Sequence, residues 1–244
     1  MRDLWTIARR ELGGFFSSPI AYVFIVIFLL LTGFFTFMPG ALLARGEASL
    51  AVFFFWLPWL YLFLVPAVGM RMWSEERRMG TIELLLTMPV AAWQAILGKF
   101  FAFWIVLGVA LALTFPLVLT VNYLGDPDNG VILGGYIGSF LLAGSYLAVA
   151  SLTSALTRNQ VISFILAVTA CLFLVLAGWP PVTGLLTGWA SPVMIDVVAG
   201  LSVMTHFEAI QRGVLDTRDI LYFLSVMVFG LAATGFALKV CRGA

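Results

Sequence analysis

The sequence predicts an all-α membrane protein of six transmembrane helices, with an N-terminal interfacial helix and a re-entrant, helical outer segment before the last span. Three observations predict it. Of 244 residues, 62% are hydrophobic and only 10% charged, with a mean hydropathy of +1.08, whereas a soluble domain is about one quarter charged. The apolar residues gather into six runs free of Asp, Glu, Lys and Arg, each near the roughly 20 residues that cross a bilayer. The charges fall between those runs, where a chain meets water or a partner. A soluble core of this length could not hide so much apolar surface, so the solvent is lipid.

Residues 1–18 form the interfacial helix. Trp5, Ala8, Leu12 and Phe15 recur at helical spacing, while Asp3, Arg9, Arg10 and Glu11 lie largely off that stripe. That is the pattern of a helix lying in the membrane surface. Gly13-Gly14 and Ser17-Ser18-Pro19 are expected to interrupt it before the first span. The spans fall at 20–39, 51–70, 101–124, 132–156, 161–178 and 220–238. Ser18 is placed to cap the first, Pro19 suits its first helical position, and Pro39-Gly40 ends it. Pro58 and Pro66 lie inside the second span and Pro116 inside the third, where a missing N–H bends a helix.

The loops at 40–50 and 125–130 are short, and Gly125-Asp126-Pro127-Asp128-Asn129-Gly130 is a turn cluster. The segment 179–219 is broken by Trp179-Pro180-Pro181 and Ser191-Pro192 but is too apolar to stand free in water. It is expected to dip back into the outer leaflet, shielded by protein. Its end reads as structural. Glu208 and Arg212 stand four apart on a short helix, and Gly213 can stop that helix. Asp216 and Asp219 have the spacing of a cap and a third helical position for the last span. His206, Glu208 and Asp216 are metal-binding residue types, but a lone histidine with scattered carboxylates does not define a metal site. Cys171 and Cys241 lie at different depths, so no structural disulfide is expected.

With the N-terminus inside, ten of the thirteen Lys and Arg fall on the inner side: Arg2, Arg9, Arg10, Arg71, Arg77, Arg78, Lys99, Arg158, Lys239 and Arg242. Arg45, Arg212 and Arg218 remain outside. Basic residues mark the cytoplasmic side. Both termini are therefore expected there, in a multi-pass protein of the cytoplasmic (inner) membrane with no cleaved signal peptide. A net charge of +1 argues against nucleic acid as a partner.

The densest charged segment is 74–99, SEERRMGTIELLLTMPVAAWQAILGK. Glu75-Glu76-Arg77-Arg78 continues the second helix into water, and Gly80 can end it. Thr81 can cap a new short helix with Glu83 in its first turn. Leu84, Leu85 and Leu86 give that helix an apolar patch, and Pro89 disrupts its continuation. Leucines exposed on the cytoplasmic side need a cover, which a protein partner supplies. A short helix held between two spans can be pushed as a lever.

The run from Glu76 to Pro89, followed by Leu97-Gly98-Lys99-Phe100, resembles the signature of ABC-2-type transporter permeases. The resemblance covers 1–244 as a single ABC-2-type transmembrane domain. His206-Phe207-Glu208, Arg212-Gly213-Val214 and Asp216-Thr217-Arg218-Asp219 before Tyr222 are similar to the gliding-motility-type permease subunits. The resemblance implies that Glu76, Arg77, Gly80, Thr81, Glu83, Leu84, Leu86 and Pro89 belong to a coupling helix on a cytosolic ABC ATPase subunit. Arg158 and Asn159 would make a second, smaller cytoplasmic contact. It implies a second permease subunit, with a homodimer favoured over a related second permease. Membrane lipid surrounds the spans, and an auxiliary membrane protein is a further partner compatible with the family. The chain has no GxxxxGK(S/T) loop to cradle phosphates. No cofactor is expected on it directly, and ATP and Mg would sit on the partner ATPase.

The implied function is a non-catalytic permease subunit of an ATP-driven transporter, with export the direction the resemblance implies. The alternative is a channel or secondary transporter without an ATPase. Such carriers place an ionisable residue in a span, and these spans have none. An intramembrane enzyme would have Gly144-Ser145 and His206 to draw on, with no evident pairing between them.

Overall fold

The structure, a computed structural model, describes residues 2–40, 42, 48–81, 91–179, 181–182, 184, 192–214 and 216–240. Among them regular structure is entirely helical. In chain order the helices are α1 (Arg2–Ser17), α2 (Pro19–Phe37), α3 (Ala51–Gly69), α4 (Arg71–Met79), α5 (Ala92–Ala112), α6 (Phe115–Leu124), α7 (Asn129–Leu156), α8 (Gln160–Leu176), α9 (Pro192–Gly200), α10 (Val203–Gln211) and α11 (Thr217–Val240).

Short polar side chains set four of the starts. Ser18 Oγ accepts from Ile20 N at 3.3 Å, Asp128 Oδ1 from Gly130 N at 2.8 Å, Asn159 Oδ1 from Val161 N at 2.9 Å and Ser202 Oγ from Met204 N at 3.2 Å. Each satisfies an N–H that a helix start leaves free. Pro19 opens α2, where its missing N–H is harmless. Two stops use the left-handed region, Gly80 with φ 71° and Gly213 with φ 84°, as glycine allows.

Five helical stretches among the described residues are long and apolar enough to cross a membrane: Pro19–Phe37, Ala51–Met79, Ala92–Leu124, Asn129–Leu156 and Thr217–Lys239. The fifth expected span, α8, is a shorter apolar helix of 17 residues, about 26 Å at 1.5 Å per residue. Large apolar side chains such as Leu30, Phe173, Phe229 and Phe236 stand exposed on the outer faces. That surface is suited to lipid and not to water.

The structure corrects four expectations. The third span begins at Ala92 instead of 101, so Lys99 lies inside a helix and the spans are not free of charge. Pro116 does not bend that span from within. The helix breaks at Leu113-Thr114, and Pro116 falls in the first turn of α6. Gly13-Gly14 do not interrupt α1, which runs through them and stops only before Ser18. Finally, of the expected stripe on α1, Ala8, Leu12 and Phe15 pack, joined by Leu4, Ile7 and Glu11, but Trp5 is exposed.

The long helix α7 forms the centre, packed by α3, α4, α5, α8, α10 and α11. Small residues on both partners set two of the close approaches. A Cβ added to Gly69 of α3 would lie 2.5 Å from Ala150 Cβ, and one added to Gly230 of α11 would lie 3.0 Å from the Ala148 backbone. Membrane helices pack through such small residues.

Candidate coupling site

The charged residues of one end converge on Lys99. Its side chain is 4% exposed, yet it carries an ammonium. The Lys99 Nζ donates to Glu76 Oε1 at 2.6 Å and to the Met72 carbonyl at 3.1 Å. Glu11 Oε2 lies 3.8 Å away, and the Trp73 ring centre is at 5.0 Å. A buried ammonium is tolerated only when paired and hydrogen-bonded, and cation–π contact with tryptophan adds to that pairing. Three elements are joined here: α1 through Glu11, α4 through Glu76 and α5 through Lys99. Gly98 lets α1 approach, since a Cβ there would meet Ile7 Cγ2 at 2.9 Å and the Leu4 carbonyl at 3.1 Å.

A second set of bonds fixes α4 to α7. The chain turns between α3 and α4 at Met70, whose N–H reaches the Pro66 carbonyl at 2.8 Å. Ser154 of α7 occupies that turn. Its hydroxyl accepts from Trp73 N and Ser74 N, each at 3.0 Å, and donates to the Met70 carbonyl at 2.8 Å. Trp73 Nε1 donates to Ser151 Oγ at 3.0 Å. Arg77 donates to the Ala155 carbonyl, a cation at the C-terminal end of α7 where the helix dipole favours one.

The sequence-derived residues fall into place unevenly. Glu76 and Arg77 make the bonds above, and Arg77 brings α4 beside the end of α7 that leads to Arg158 and Asn159. Gly80 terminates α4, and Thr81 N bonds back to the Glu76 carbonyl at 3.0 Å. Glu83, Leu84, Leu86 and Pro89 lie outside the described residues. Arg158 is exposed, and Asn159 caps α8.

At the other end His206 Nδ1 is 2.6 Å from Asp219 Oδ1 and Nε2 is 3.1 Å from the Gly200 carbonyl. The ring stacks on Tyr222 at 4.0 Å, and the Tyr222 hydroxyl donates to the Leu201 carbonyl at 2.6 Å. Asp219 therefore faces His206, not the backbone of Asp216, as a box of two capping residues would require. Asp216 Oδ1 does accept from Arg218 N at 3.1 Å. Glu208 and Arg212 form an exposed pair at 3.7 Å, and Gly213 closes α10. Ser145 donates to the Phe223 carbonyl at 3.2 Å, joining α7 to α11.

Sequence reasoning missed Lys99, Glu11, Ser151 and Ser154 as a group. One signal was available: Lys99 sits in an unbroken apolar stretch, where a helix extended back to Ala92 buries it.

The fold and this end of it define an integral, multi-pass α-helical membrane protein whose charges cluster at the connection between its second and third long helices. Residues 44–194 match the family described as "ABC-2 family transporter protein", and the chain belongs to that family. It is similar to the "Probable ABC transporter permease protein NosY" of Pseudomonas aeruginosa, 29% identical over 161 residues. That alignment covers 62% of this chain and 58% of the relative, so the chain spans little more than half of the relative's length.

Proposed function

We propose that this protein is the membrane-spanning permease subunit of an ABC transporter and that a separate ATPase drives it through the 80–89 connection. The observation that carries this reading is the Lys99 cluster. It ties α4 and α5, the helices on either side of that connection, to each other at 2.6 Å and to α1 at 3.8 Å. A push on the connection therefore reaches three helices together. Ser154 passes it on to α7, the centre of the bundle. Coupling of this kind needs a rigid element with two positions that both sites bias.

In this reading the Lys99 end faces the cytoplasm of the inner membrane, α8 completes six spans, and two copies of the chain pair. Helices α9 and α10, nine residues each, are the re-entrant pair near the exit, and transport runs outward. ATP and Mg are held by the ATPase. Lys99 is an ionisable residue within a helix, but its pairing with Glu76 spends its charge on structure. It therefore gives no support to an ion-coupled carrier.

The test is a pair of variants, Glu83→Ala and Gly80→Pro. Both should insert normally yet lose ATPase association or uncouple hydrolysis from transport. Full coupling in both, or surface labelling that finds residues 80–89 on the exterior, overturns the reading.

A further inference from the structure

The Lys99 cluster borders a cavity of about 580 Å³ between α1, the first turn of α2, α4 and α5. Its wall carries both signs of charge, Arg10, Arg71 and Lys99 against Glu11, Glu75 and Glu76, beside the rings of Phe15 and Phe103. Arg10 already holds Glu11 at 2.9 Å, and Lys99 holds Glu76 at 2.6 Å. Two buried atoms of this wall have no hydrogen-bond partner among the described residues: Arg71 Nε, a donor, and Glu76 Oε2, an acceptor. The Glu75 carboxylate stands 3.8 Å from Arg71 Nε, beyond hydrogen-bond reach. Buried polar groups are otherwise almost always paired. Depth supplies a second observation. Ser18 and Ile20 line the cavity and begin the first span, and the first residues of a span lie at the level of the lipid headgroups.

We infer that this cavity binds the headgroup of a phospholipid carrying both a phosphate and a primary ammonium. The phosphate accepts from Arg71, whose planar guanidinium suits phosphate oxygens, and from the further donors of Arg10. The ammonium donates to the Glu75 carboxylate, whose side chain is about one third exposed, and stands beside that of Glu76. Phe15 and Phe103 meet the glycerol and the first acyl carbons. A choline headgroup has no N–H to donate, and a glycerol headgroup has no cation. The site therefore selects phosphatidylethanolamine over both.

The test uses the full-length protein, purified in detergent, delipidated and offered equimolar phosphatidylethanolamine, phosphatidylcholine and phosphatidylglycerol of identical chains. Bound lipid is counted by native mass spectrometry. The wild type should retain phosphatidylethanolamine about tenfold over the others, the scale of one or two charge-assisted hydrogen bonds. Gly14 lines the cavity and a Cβ there meets nothing within 4 Å, so Gly14→Leu fills the space without moving the backbone. It should abolish the preference, as should Arg71→Gln. Gly13 is equally open but does not line the cavity, so Gly13→Leu should behave as wild type. Equal retention of the three lipids overturns the inference. So does an unchanged preference in Gly14→Leu and Arg71→Gln, or its loss in Gly13→Leu. Displacement of the lipid by free phosphoethanolamine at the same concentration assigns the site to a soluble compound and overturns the lipid.

Discussion

Ser154 and Trp73 are 81 residues apart, and the Ser154 hydroxyl accepts the Trp73 backbone N–H at 3.0 Å. A helix usually finds its N-cap in the residue just before it. Helix α4 instead takes its cap from α7, because Met70, at the cap position, has no side-chain oxygen to offer.

Ser154→Ala removes an acceptor for two N–H groups and a donor to the Met70 carbonyl. Loss of a cap with buried partners left unpaired costs about 2 kcal/mol. Ser151→Ala leaves one unpaired indole N–H and should cost about half as much. Thermal unfolding in detergent checks the order, and equal losses would show that Ser154 is no more than a packing residue.

Glu76→Ala strands the Lys99 ammonium in a buried site. Breaking a buried pair from one side costs about 3 kcal/mol or more. The double variant Glu76→Ala, Lys99→Met removes both charges and should recover most of that loss, since an apolar replacement of a buried pair is often neutral. A double variant no more stable than Glu76→Ala would deny the pairing its structural role.

How much of this was legible in the sequence follows from the range of each interaction. The cap at Ser18 and the stops at Gly80 and Gly213 act within a few residues, so local pattern reveals them. Asp128 and Asn159, read as a turn residue and a cytoplasmic contact, also prove to be caps. The apolar runs act through composition and reveal the helices. Glu11, Glu76 and Lys99 meet only because α1 folds back on α5, and nothing local marks that contact. Reading charge as a sign of water placed Lys99 at the end of the cytoplasmic segment, ahead of the third span, when its partners let it enter a helix. Glu11 was read as off the apolar stripe for the same reason. Glu208 and Arg212, four apart, were legible as a pair; Asp219 and His206, 13 apart across a turn, were not.

Gly80→Ala should cost about 1 kcal/mol, the strain of a left-handed residue bearing a Cβ, since nothing lies within 4 Å of that position. Gly213→Ala should cost more, because its Cβ would also meet Val131 Cγ2 at 2.7 Å. Unfolding midpoints of the two variants, measured side by side, give the comparison. A larger loss at Gly80 would contradict it.

The His206 ring is flanked by two acceptors, the Asp219 carboxylate and the Gly200 carbonyl. It thereby links the end of α9 to α10 and α11. Asp219→Ala should destabilise by about 1–2 kcal/mol, and Tyr222→Phe, which loses the bond to the Leu201 carbonyl, by about 1 kcal/mol. Limited proteolysis of 179–219 should accelerate in both. Unchanged cleavage would show that this cluster does not hold the segment.

The seats of Gly69 and Gly230 on α7, at Ala150 and Ala148, are two residues apart along one helix. They therefore face nearly opposite directions, roughly 200° apart at 100° per residue, within about 3 Å of height. A one-turn slip of α3 along α7 would set Gly69 against Tyr146 or Ser154, and Tyr146 has no room in a gap shaped for a methyl group. The slip toward Tyr146 is therefore barred at that level. On the transporter reading proposed above, those two alanines would be the fulcrum about which α3 and α11 tilt.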